Sequence, residues 1–167
     1  MEITLTPQQK LDLEILEKLA MILRDFLMDT AEINHLIEGE EFDDSKLQMC
    51  LLMALDAYNT TITPISINST LSTFPSMSLM IEGGAVFALK SSIFKYIRNA
   101  FGYNDAGVQV SVEEKSAEYE RTLQRMLTEW NEKCMRLKEH INLEGCYGGF
   151  SSEYLNIYIV GRRTRKI

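Results

Sequence analysis

Between Tyr119 and Ile141 the apolar residues Tyr119, Leu123, Met126, Trp130, Cys134, Leu137 and Ile141 step by 4, 3, 4, 4, 3 and 4 positions, with Glu, Arg and Lys filling the intervening faces. A sheet cannot use that spacing, because strand side chains alternate with period 2. A helix spanning about 112–142 presents it as one seam, and such a seam has to be covered by other helices. Ser111 and Glu114 form a capping-box pattern at its start, and Gly145 with "YGGF" marks its expected end. The chain therefore reads as mainly α, a bundle of about four to five helices.

The other helices follow from the same periodicity. Thr6, Pro7 and Gln9 carry the cap, first-turn proline and capping-box residue of a helix over 7–28, whose buried stripe is expected at Leu11, Ile15, Leu19, Ile22, Leu23 and Phe26. A short helix from Thr30 through Leu36 is expected before Gly39. Asp43 or Asp44 then caps a helix over 45–59 with the face Leu47, Cys50, Leu51, Ala54, Leu55 and Tyr58. Pro75 opens a long helix through Phe101, interrupted by Gly83-Gly84. Two glycines there cost roughly 1 kcal/mol each relative to alanine, so they imply a kink or the close approach of a neighbour. A phosphate loop is the weaker reading, since "IEGGAVFALKSS" lacks a preceding strand and a Lys-Ser/Thr in register.

Non-helical signals are few. Residues 60–74, "TTITPISINSTLSTF", read as an ordered connector with some β content over 61–67. Asn104 to Gly107 is a turn sequence, followed by the alternating Val108, Val110 and Val112. "EYLNIYIVG" is the most convincing strand, with β-branched and aromatic residues ending on Gly161. It needs a partner: the 108–112 run, the 61–67 connector or another chain. The favoured pairing makes a small β element of 108–112 and 154–160. One domain over 1–167 is expected, with the 60–74 connector and a C-terminal strand and extended basic tail at 150–167.

Charge limits the partners. The net charge is −7, yet "GRRTRKI" contributes +4, so the rest of the chain carries −11, and residues 1–60 alone carry 13 acids against 4 bases. Such a body repels nucleic acid as a whole, which leaves the tail as the only segment suited to DNA, RNA or an acidic partner. No run of 18 apolar residues occurs, so no membrane-spanning helix is expected, and the acidic start "MEITLTPQQKLDLEILEKLA" is unlike a secretory signal. Cys50, Cys134 and Cys146 form neither a CxxC nor a zinc spacing and read as small core residues of a chain made in a reducing cytoplasm.

Catalytic groups are scarce. His35 and His140 have no second histidine at metal spacing, and Glu40, Glu41, Asp43 and Asp44 read as capping and solvation. The sequence contains no GxSxG, HExxH, Walker or GxGxxG motif. A calcium loop in "NDAGVQVSVEE" fails in both registers tried: from Asn104 the first three donor positions are Asn, Ala and Val, and from Asp105 they are Asp, Gly and Gln. Neither an enzyme nor a cofactor or metal binder is expected.

Three pieces, "EFDDSKLQMCLLMALDAYNTTITPI", "YIRNAFGYNDAGVQVSVEEKSAEY" and "LTEWNEKCMRLKEHINLEGCYGG", in this order and with a glycine-interrupted helix between the first two, resemble tailed-bacteriophage neck proteins of the head-tail connector or adaptor type. The resemblance spans roughly residues 31–149. It implies a virion structural protein, synthesised in the host cytoplasm, that assembles as a ring, commonly twelvefold, between portal and tail. The implied partners are neighbouring copies, the portal, a downstream tail or neck protein and, in passing, genomic DNA. The chain departs from the shortest adaptors in its long N-terminal helix and its 60–74 connector. The apolar strand and basic tail suit addition to a partner's sheet edge, with Tyr154, Leu155, Ile157, Tyr158, Ile159, Arg162, Arg163, Arg165 and Lys166 as the candidate interface. The other reading left open is a helical interaction or regulatory protein whose basic tail touches nucleic acid.

Overall fold

The computed structural model describes residues 6–34, 39–63, 68–98, 103–105, 108–110 and 113–147. They are mainly helical. Four helices, α1 (Pro7–Leu27), α2 (Asp44–Thr60), α3 (Met77–Arg98) and α4 (Glu113–Tyr147), account for most of them. Two three-residue strands, β1 (Tyr103–Asp105) and β2 (Val108–Val110), lie between α3 and α4 as an antiparallel pair in which Tyr103 faces Val110 and Asp105 faces Val108. The expected pairing of 108–112 with 154–160 is not found among the described residues: β2 pairs with β1, the strand before it in the chain, while residues 106–107, 111–112 and 154–160 lie outside them.

α3 is the central element. It packs most extensively on α2, then on α4, and more narrowly on α1. Its glycines explain how three helices crowd around it. A Cβ on Gly83 would lie 2.8 Å from the Ala54 Cβ and 2.8 Å from two carbons of the Trp130 indole, and one on Gly84 would lie 2.9 Å from a Leu23 methyl and 3.0 Å from a Leu51 methyl. Gly83 therefore admits α2 and α4, and Gly84 admits α1 and α2, which is the close-packing reading of the pair. Trp130 is fixed in this joint by donating its indole N–H to the Leu79 carbonyl at 2.9 Å, and its ring meets Phe87 edge-on. By length and composition α3 could cross a membrane, with mean hydropathy 1.3 over Met77–Lys95, but half of that window is buried inside the bundle, as in a core helix.

The helix boundaries carry several corrections. α1 starts as expected, with Thr6 and Gln9 in a reciprocal capping box. Of the expected stripe Leu19 and Leu23 are buried and Ile15 packs against the core, but Leu16 and Ala20 complete the buried face while Leu11, Ile22 and Phe26 are exposed. The buried face is thus rotated from the expected one about the helix axis, and the packing partners set the rotation. α1 ends at Met28, whose φ of 54° is left-handed and whose N–H donates back to Asp25 and Arg24. α3 begins after Ser76, which accepts from the Leu79 and Met80 amides, rather than at Pro75. α4 is 35 residues long and continues through Gly145 to Tyr147. A Cβ on Gly145 would meet nothing within 4 Å, so this glycine neither turns the chain nor admits a neighbour.

No short helix follows α1 among the described residues. Thr30 accepts from Ile33 and Asn34 in a single turn, and residues 35–38 lie outside the description. The organiser there is Asp29, 4% exposed, whose carboxylate accepts from the Glu41 amide at 2.6 Å, the Phe42 amide at 2.8 Å and the Asn34 side-chain amide at 2.6 Å. A buried carboxylate satisfied this way holds the α1–α2 connection more firmly than an isolated helical turn would. Of the 60–74 connector, residues 61–63 and 68–70 contain no strand, and 64–67 are outside the description. Its two ends are tied by Asn59, which exchanges hydrogen bonds of 2.9 Å with the backbone of Ser69.

The far end of α2 is closed by a residue on α4. Lys138, 4% exposed, donates its ammonium to the carbonyls of Asn59 at 3.2 Å and Thr61 at 3.0 Å, and lies 4.8 Å from the Tyr58 ring centroid. It supplies positive charge where the α2 macrodipole is negative. Burial lowers its pKa, with nearby Cys134 acting in the opposite direction.

Candidate interaction surface

The residues expected to form the interface, Tyr154, Leu155, Ile157, Tyr158, Ile159, Arg162, Arg163, Arg165 and Lys166, all lie outside the described residues. Within the bundle a different surface stands out. α2 turns Leu47, Leu51, Ala54 and Tyr58 into the core and leaves Met49 and Met53 exposed on its flank. α3 is buried through Ala88 and then emerges, so that Phe94 and Ile97 are 55% and 59% exposed. Between these flanks runs an open groove of about 1000 Å³, with Met49, Met53, Phe87 and Phe94 among its apolar lining. Cys50 and Phe42 close its inner side.

The rim of the groove is basic in an acidic chain. Among the described residues, Lys46, Lys90, Lys95 and Arg98 line it against one acid, Glu41. Glu41 lies 3.5 Å from both the Lys95 ammonium and the Ser92 hydroxyl. Lys46, Lys90 and Arg98 have no carboxylate within 4.0 Å among the described residues. Phosphate-backbone binding needs clustered positive charge, but an apolar floor of methionine and phenylalanine is suited to the apolar side of a helix.

A second apolar surface without a partner among the described residues lies on α1. Leu11, Ile22 and Phe26 are 46%, 41% and 55% exposed. They fall within about 60° of one another around the helix at 100° per residue. Single exposed apolar residues are ordinary, whereas grouped ones mark interaction surfaces. Near the C-terminal end of this helix, Arg24 contacts Glu40 at 2.7 Å, Asp44 at 2.7 Å and Asp29 at 3.4 Å. Burial opposes its charge, but the hydrogen bond it donates to Asp44 and the charges of Glu40, Asp44 and Asp29 raise its pKa overall. This network locks α1 to the start of α2 and leaves its carboxylates with little freedom to serve another ligand.

Among the described residues, both cysteines are held in unreactive settings. Burial pushes the Cys134 thiol up to about 12, with Lys138 lowering it and Glu82 raising it, and burial also raises the Cys50 thiol. A nucleophilic cysteine needs the opposite shift. His140 pairs on the surface with Glu144 one turn along α4, at 3.2 Å. Among the described residues no three His, Cys, Asp or Glu side chains are arranged to hold a metal ion. The arrangement is one that can dock an amphipathic segment.

Sequence reasoning did not identify the groove. Met49 and Met53 recur at i and i+4 on the flank of α2, and Lys90, Lys95 and Arg98 are interleaved with apolar residues along α3, so neither helix alone shows a basic apolar face. Their combination becomes visible only when α2 and α3 are placed side by side. No family model, curated protein or solved structure matches the chain.

Proposed function

We propose that this chain is a non-enzymatic assembly subunit, of the tailed-phage head-to-tail connector or adaptor type, that works in the virion neck as one member of a ring. The observation that carries the reading is the pair of unpartnered apolar surfaces on one small bundle, the α2–α3 groove and the α1 strip. A bundle whose buried thiols, lysine and tryptophan are all engaged in packing offers interaction surface more readily than chemistry. The order of sequence segments that resembles neck proteins adds the viral setting, and with it neighbouring copies, portal and a downstream tail or neck protein as partners. The C-terminal strand and basic tail, residues 154–167, would extend the contacts by strand addition.

Deleting residues 154–167 tests this reading. The expected result is a helical protein with an unchanged circular dichroism spectrum that no longer forms the full-length chain's oligomers. A truncated chain that assembles identically would refute the role of the tail. Salt-sensitive DNA affinity from a monomeric full-length chain would support the regulatory alternative instead.

A further inference from the structure

We propose that the groove between α2 and α3 receives α1 of a second copy of this chain. The inference rests on the assembly-subunit reading and names its lateral contact. The groove offers an apolar floor and the bases Lys46, Lys90 and Arg98, which have no carboxylate within 4.0 Å among the described residues. The exposed strip of α1, with Leu11, Ile22 and Phe26, is bordered by Asp12 on one side and by Glu14 and Asp25 on the other, with Lys18 the one base beside it. Apolar surface meets apolar surface and acids meet bases, which is the helix-in-groove mode with electrostatic matching. The basic tail is the wrong occupant, because Arg162, Arg163, Arg165 and Lys166 would add four charges to a rim that is already positive. Each copy carries both halves of the contact on different elements, so the contact is head-to-tail, and repeating it closes a ring or propagates a filament.

Two variants with surface changes isolate the two halves. Lys90→Glu/Arg98→Glu reverses the groove rim, and Phe26→Asp places a carboxylate in the α1 strip; all three positions are exposed in the bundle. Each variant alone should lose self-association by at least about tenfold in sedimentation velocity, since one sets acids against acids across the contact and the other puts a carboxylate into its apolar part. Mixed in equal amounts they should form a one-to-one dimer and stop there, because the groove variant still offers a working α1 and the α1 variant a working groove. Mixtures that stay monomeric, or single variants that assemble as the original chain does, would overturn the contact. Failure confined to the variants leaves the ring reading standing, whereas an unaltered chain that is monomeric throughout overturns both.

Discussion

The joint at Gly83 yields a quantitative prediction. A methyl group there would sit 2.8 Å from the Ala54 Cβ and from Cε2 and Cζ2 of Trp130. Carbon atoms pack at about 3.5–4.0 Å, so α2 and α4 would each have to retreat by roughly 0.7 Å or more. Neither obstacle can rotate away: the Ala54 Cβ is fixed to its backbone, and the indole is held by its 2.9 Å bond to Leu79. Overpacking costs about 1–3 kcal/mol, and two obstacles that cannot turn aside put this site in the upper part of that range, about 2–3 kcal/mol, against a gain of about 1 kcal/mol from replacing a mid-helix glycine with alanine. At Gly84 the nearest atoms are methyl ends of Leu23 and Leu51 at 2.9 and 3.0 Å, which can turn aside, so the helix-propensity gain roughly cancels the cost. Gly83→Ala should therefore be less stable than Gly84→Ala by about 1–2 kcal/mol, or about 2–8 °C in Tm at this chain length. The assay is thermal and urea unfolding at one protein concentration, followed by circular dichroism and by the emission of Trp130, the sole tryptophan. A Gly83→Ala protein as stable as Gly84→Ala would refute the three-helix joint.

Three further outcomes are expected. Asp29→Asn places an amide donor among the Glu41, Phe42 and Asn34 donors and should lower stability by about 3 kcal/mol in urea unfolding. Lys138→Met keeps most of the packing but leaves the Asn59 and Thr61 carbonyls without their donor, so a loss of about 1–2 kcal/mol is expected, smaller than for Lys138→Ala. The Cys134 thiol, raised to about 12 from 9.0, contributes stability that is intact below pH 9 and is lost as pH climbs from 9 toward 12. The lowered pKa of Lys138 acts with the opposite sign near the same range, so comparing the pH–stability curve of Cys134→Ala with that of the unaltered chain isolates the thiol.

The parts of the fold legible in sequence were those in which one local pattern admits one answer. The α2 face from Leu47 to Tyr58, the Thr6 capping box and the packing role of Gly83-Gly84 are of this kind. α1 is ambiguous because it is apolar on more than one side: Leu19 and Leu23 are buried as expected, but only the packing against α2 and α3 adds Leu16 and Ala20 and leaves out Leu11, Ile22 and Phe26. Lys138 read as one of the charges on the exposed faces of α4, since nothing local reveals that its stem reaches the carbonyls at the end of α2. Asp29 falls between the expected helices 7–28 and 30–36 with nothing local to single it out, whereas its carboxylate accepts from amides 12 and 13 residues away. The groove depends in the same way on two helices from separate parts of the chain, and periodicity within either one cannot announce it.

The central claim is that this bundle functions by self-assembly through complementary surfaces. Sedimentation velocity of the full-length chain over a range of concentrations tests it most directly. The account predicts a discrete closed oligomer, an integer multiple of the chain mass that stops growing as concentration rises and weakens with added salt; a monomer at every concentration would contradict it.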